Sequence, residues 1–368
     1  MVLWMTCSAN YSRVVYVLHH LRELASKIHQ TRSGGDKRWE KRRRIAFLSN
    51  HRLRGKTGSK NSMSIANKQN ETAMVRLQKA RRVLYSQAKL AQGLVVLVTL
   101  LLPVAAALCA KLLPSAKPLV AIASLGVSLF DACFFDRWMK QRLKEGAKLQ
   151  EEFDCAVYEM SWNKFLVGPK VDREDVSKRN RKKLSAKIEA TFLNWYSPEV
   201  DRLPLPAARI ACQRSNVVYD SSQRKTYCTV LKVAIGTIVV GVFGAGLYHG
   251  EAMTDFVLTS LVPATPIIIW LLREHNRHID TALAVERIKG EADKLWTDVL
   301  TARDQAPFEV KTRELQDAIF GFRASSPLVF DWLNRLLRKG LEQDMVDAVA
   351  TMADEYDSAS GARAKAKA

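Results

Sequence analysis

Two ionisable residues stand where charge is expensive. Asp131 falls near the end of an otherwise uncharged run from Pro118 to Phe135, and Lys232 sits at the head of another, from Val233 to Gly250. A charge inside hydrocarbon marks a partner or a water-filled path when it faces the interior of a helix bundle. Their similar depth lets Asp131 and Lys232 form an intramembrane polar pair; both also lie near enough to a span end to snorkel to water. A second concentration of chemistry runs from Trp195 to Tyr227, where Arg202, Arg209, Arg214, Arg224 and Lys225 are mixed with Trp195, Tyr196 and Tyr219. Guanidinium forks match phosphate oxygens and aromatic faces accept bases. Trp195, Arg209, Arg214, Asn216, Asp220, Arg224 and Tyr227 therefore form a candidate ligand-sensing segment. The alternative is a folded juxtamembrane domain whose arginines satisfy Asp201, Asp220 and helix ends.

Other chemistry is thin. Ser161, Ser197 and Ser325 lack a glycine-flanked elbow, and the carboxylate neighbours Glu151 and Glu152, like Glu174 and Asp175, sit in charge-rich segments that read as solvated faces. No enzyme is expected. The six cysteines, at positions 7, 109, 133, 155, 212 and 228, show no CxxC pattern and no disulfide framework. His275 and His278 share a helical face without a cysteine or carboxylate cluster and read as a surface pair, so neither a metal nor a cofactor is expected.

The elements that must position these residues are membrane spans. Leu90 to Ala110 carries no charge over 21 residues, about the length a helix needs to cross a hydrocarbon core of roughly 30 Å. Pro118 to Phe135, Val233 to Gly250 and Phe256 to Leu272 are nearly as apolar, and short tips around Pro114 and Glu251 join the four runs into two hairpins. The formal net charge is +20, and residues 1–90 hold 20 Lys or Arg against 4 Asp or Glu while residues 136–227 hold 19 against 13. By the positive-inside rule both termini and the middle segment are cytoplasmic and both tips face outward. Membrane flanks account for that charge, so no nucleic-acid polymer is expected as a partner.

The sequence predicts an all-α integral membrane protein with helical cytoplasmic extensions. Residues 1–62 form a basic arm that translation from Met63 would omit. Residues 63–92 are a cytoplasmic helix, 93–135 the first transmembrane hairpin, 136–227 a cytoplasmic helical domain and 228–273 the second hairpin. Residues 274–357 are C-terminal helices, including a pair over Glu309–Phe322 and Leu328–Met352, and 358–368 are a disordered tail. The second span is expected to project into the cytoplasm, with no proline before Pro169. Pro263 and Pro266 predict a kink in the fourth span. Small residues at Ser124, Ser128, Gly236 and Gly241 suit close helix packing, within the chain or between copies.

As a set these features resemble the four-transmembrane SMODS-associated effector family. The resemblance runs from about Ile65 onward and rests on IANKQNETAMVRLQKARRVLYSQAKL before the first span and EEFDCAVYEMSWNK after the second. Above all it rests on WYSPEVDRLPLPAARIACQRSNVVYDSSQRKTY before the third, with Arg209, Cys212, Gln213, Arg214, Asn216, Asp220, Arg224 and Tyr227 in order. It implies a pore-forming effector of a bacterial antiphage system at the inner membrane, triggered by a nucleotide second messenger. Four helices in one chain enclose a packed bundle, so a pore implies a homo-oligomer. A constitutive small-solute channel and a membrane-anchored scaffold are the rival readings.

Overall fold

A computed structural model describes residues 64–112, 119, 122, 126–127, 129–250, 252–257, 261–302 and 304–365. The basic arm of residues 1–62 and the serines Ser124 and Ser128 lie outside the described residues. Among those described, every regular element is helical: α1 Thr72–Leu112, α2 Asp136–Val157, α3 Arg173–Asn180, α4 Leu205–His249, α5 Val262–Thr301, α6 Pro307–Ser325 and α7 Asp331–Lys365, with short helical turns between them. The expected C-terminal pair is α6 and α7. The tail expected to be disordered beyond Ser358 is helical as far as Lys365.

Two of the helices ignore the boundary between polar and apolar sequence. α1 carries the amphipathic turns after Thr72 straight into the apolar run from Leu90, and α4 runs 45 residues from the polar segment at Leu205 to the αL residue Gly250, where φ is 60°. Glycine takes that conformation without penalty, so the helix stops there. The expected boundary at residue 228 thus falls inside a continuous rod. One helix among the described residues, Leu205–Tyr248, is long and apolar enough to cross a membrane by length and composition.

Pro263 and Pro266 are the second and fifth residues of α5. Leu261 before α5 is already in αR geometry, and residues 258–260 lie outside the described residues, so the expected kink falls at the edge of what is described. α2 is entered through a π-helical turn, Asp131–Phe135, so the second apolar run does project onward as expected. It ends at Tyr158, well before Pro169, and Glu159 then adopts φ 56°. The cause is tertiary: Arg209 donates to the carbonyls of Tyr158 (2.7 Å) and Glu159 (3.0 Å), placing a cation on the negative end of the helix.

The main core gathers α1, α2, α4, α5 and α7 around Leu77, Leu84, Phe153, Tyr158, Tyr196, Ile210, Val299 and Met352. Tyr85 packs against α2 where residue 146 is glycine; a Cβ there would collide with the tyrosine ring. Two smaller clusters sit at the inner ends of the apolar runs. Ala88, Met139 and Leu143 close the first with Leu328 against them, and Tyr227, Leu231 and Leu271 close the second with Val329 and Leu333. The segment entering α7 therefore touches the base of both hairpins, and Asp331 fastens it to α1 through Arg82 (3.0 Å) and Lys89 (2.5 Å).

Candidate functional site

The polar centre of the molecule is a buried network between α2, α4 and α6. Asp154 is fully buried and accepts from Tyr196 Oη (2.6 Å), Gln150 (2.8 Å), Arg323 (2.6 Å) and Gln316 (3.2 Å). One turn earlier Glu151, also fully buried, accepts from Arg313 (2.5 Å), Gln316 (2.8 Å) and the Cys155 thiol (3.3 Å). Burial without pairing would be prohibitive for either carboxylate; two arginines and a ring of donors offset it. Burial and the adjacent Glu151 push the Cys155 thiol up to about 12, which keeps it protonated and unreactive. Burial, with Asp154 beside it, likewise drives the Tyr196 hydroxyl well above its usual range, so it acts as a donor. The expectation that Glu151 lies on a solvated face is overturned: it shares the inward face of α2 with Cys155 and points at α6. Glu152 points the other way and pairs with Lys170 (3.1 Å).

A second knot lies at the inner end of the α4–α5 hairpin. Arg224 is buried, donates to Asp220 (2.6 Å) and to the carbonyl of Pro327 (3.1 Å), and stands 3.1 Å from His278 Nδ1. His278 is fully buried, its Nε2 lies 3.1 Å from Glu274, and the Tyr227 ring meets it edge-on at 4.5 Å. A guanidinium only donates, so Nδ1 accepts and Nε2 carries the proton toward Glu274. Burial lowers the affinity of His278 for a second proton, and Glu274 opposes that only in part. The expected surface pair of histidines is thus a buried one, since His275 is buried too. No metal-holding cluster of three or more His, Cys, Asp or Glu occurs among the described residues.

Each residue of the expected sensing segment has a protein partner. Beyond Arg209, Arg224 and Tyr227, Arg214 reaches Asp293 (2.5 Å), Asn216 donates to Tyr196 Oη (2.8 Å) and Tyr158 Oη (3.3 Å), and Asp220 is taken by Arg224. Trp195 packs against the core beneath Arg81, whose guanidinium carbon lies 4.6 Å from the ring centroid. Asp201 accepts from the backbone N–H of Ala66 (3.2 Å). Most of the segment is therefore framework, with Trp195, Arg214, Asn216 and Asp220 half-buried.

Asp131 and Lys232 form no ion pair with each other among the described contacts: Asp131 is half-buried in the π-helical turn and Lys232 is exposed on α4. Among the described residues a Cβ built at Gly236 or Gly241 meets nothing within 4 Å. At Gly246 a Cβ would collide with the Phe256 ring.

The pattern overlooked Arg81, Gln78, Arg313, Arg323 and Asp331. A signal existed for two of them: Gln78 and Arg81 are three apart on the helical face that also carries Leu77 and Leu84, an inward position for a polar residue.

The chain is 24% identical over 212 residues, 55% of its own length and 68% of the other's, to a probable CBASS effector molecule from Bacillus cereus (strain VD146). No solved structure matches. Residues 63–352 match the SMODS-associating 4TM effector domain, and the chain belongs to that family.

Proposed function

We propose that this chain is an antiphage effector of the bacterial inner membrane which, as an oligomer, opens the bilayer when a nucleotide second messenger is made. In this reading the runs 90–110, 118–135, 233–250 and 256–272 cross the membrane. Both termini and the helices between the hairpins are cytoplasmic.

The observation that carries it is where large apolar side chains lie bare. Leu90 is 77% exposed, Leu119 70%, Leu247 83% and Ile269 50%, and Leu97, Ile122, Phe134, Phe243 and Val262 accompany them. These belong to the four runs, whereas the charged extensions bury Phe153, Tyr158, Tyr196 and Phe308 in a core and leave Phe165 bare. A contiguous apolar surface of that extent is unstable in water and suits lipid. Family membership and the resemblance to a probable CBASS effector add the antiphage context. Among the described residues Gly236 and Gly241 meet open space, which suits contact with a second copy.

The test is membrane potential and dye uptake in bacteria expressing the chain with and without an active second-messenger synthetase. Synthetase-dependent depolarisation is the expected result. A membrane that stays sealed in both cases, with the protein shown to be inserted, refutes the pore and leaves an anchored scaffold.

A further inference from the structure

Several buried side chains find no hydrogen-bond partner, and two of them, Gln78 and Trp195, flank Arg81 beside α1. Gln78 is 1% exposed, yet neither its amide nitrogen nor its amide oxygen has a hydrogen-bond partner. The indole N–H of Trp195 is buried and equally unpartnered. Between them stands Arg81, three residues after Gln78 on the same side of α1 and stacked over the Trp195 ring. Arg81 and Trp195 are half-buried and reach the surface, whereas Gln78 lies beneath.

Arg81 is also a cation short of an anion. Asp154, the carboxylate that acts on it, is already held by Arg323, Tyr196, Gln150 and Gln316, and Arg323 itself repels it. Desolvation brings the Arg81 guanidinium down to about 10, the direction expected of a buried cation lacking its counter-charge. The Gln78 amide and the Trp195 N–H, both buried and unpartnered, on either side of a half-buried cation are positions that a polar ligand can satisfy.

Their chemistry specifies it. Arg81 offers a planar fork for a phosphate, and the Trp195 N–H a further donor. Gln78 presents a donor beside an acceptor, and an acceptor needs a ligand that donates. A phosphodiester or lipid phosphate has no N–H or O–H to give at neutral pH; a nucleobase edge has both functions side by side. Resting on the function proposed above, we infer that Gln78, Arg81 and Trp195 form the messenger site, with a nucleotide phosphodiester on Arg81 and a base edge on Gln78. The site joins α1, which runs into the first hairpin, to the segment that precedes α4, which runs into the second, so occupancy acts on both.

The test uses the full chain in lipid nanodiscs and labelled cyclic di-AMP, cyclic di-GMP, cyclic AMP-GMP and cyclic tri-AMP, read by fluorescence polarisation. The tightest of these is expected to weaken about tenfold or more in Arg81→Met and in Trp195→Leu, the scale of one charge-assisted bond or one stacked base. Gln78→Met guards against misfolding, because replacing a buried unpartnered amide with an isosteric apolar chain leaves thermal stability equal or higher. Binding should still fall in that variant. Unchanged binding in Gln78→Met and Arg81→Met, displacement by inorganic phosphate or by anionic lipid alone, or no binding of any probe overturns the assignment. Synthetase-dependent depolarisation that persists in these variants sinks the site and spares the function; probe binding with no depolarisation in the parent chain does the reverse.

Discussion

Removing the Asp154 carboxylate should do more damage than any exposed substitution in the chain. Asp154→Ala leaves Arg323 buried without its anion and strands Tyr196 Oη and an amide N–H of Gln150, each now within 2.8 Å of the lost oxygens. Each charge-assisted bond is worth about 1.5–3 kcal/mol, but such losses do not add, and breaking one side of a buried ion pair costs about 3–5 kcal/mol. For a folded part of this size a loss of that order lowers the melting temperature by about 10 °C. Cys155 and Cys212 are buried, so their modification by a thiol reagent during a temperature ramp in detergent reads the unfolding of this core. The double variant Asp154→Leu with Arg323→Met removes both charges and should recover most of the loss. The exposed Asp175→Ala is the control. If Asp154→Ala melts within about 1 kcal/mol of that control, the network is not what holds α2 to α6, and the reasoning fails.

Two glycines make opposite predictions. Gly146→Ala forces the Tyr85 ring off α2 and should destabilise by about 1–3 kcal/mol, whereas Gly290→Ala, where a Cβ meets nothing within 4 Å in the middle of α5, should stabilise by up to about 1 kcal/mol; parallel thermal melts decide both. His278 binds a proton less readily folded than unfolded, so its contribution is fully present above the unfolded value of about 6.5 and is lost as pH falls through the lowered folded value. Melting temperature should therefore drop on acidification below about pH 6.5, and the drop should shrink in His278→Gln; an unchanged acid limb in that variant refutes the linkage.

Much was legible in the residues themselves. The uncharged run from Val233 marks itself by length alone, and it lies in the one described helix, Leu205–Tyr248, that is long and apolar enough to cross a bilayer. Apolar residues at helical spacing, and no alternating pattern, gave the all-α fold, and the run from Trp195 to Tyr227 carried enough of the family's residues to point to it. The partnership of charges was not legible. Glu151 and Glu152 are neighbours in sequence, yet one is sealed against Arg313 and the other pairs with Lys170 at the surface, because α6 packs on one face of α2 only. Arg209 and Arg224 look like phosphate ligands by type, and only packing shows that one caps α2 while the other braces His278 and Pro327. Gln78 and Arg81 look like ordinary members of a basic amphipathic helix until the chain brings Trp195 over them. Sequence determines which residues must leave water; the tertiary structure decides which of the buried charges find each other and which are left without a partner.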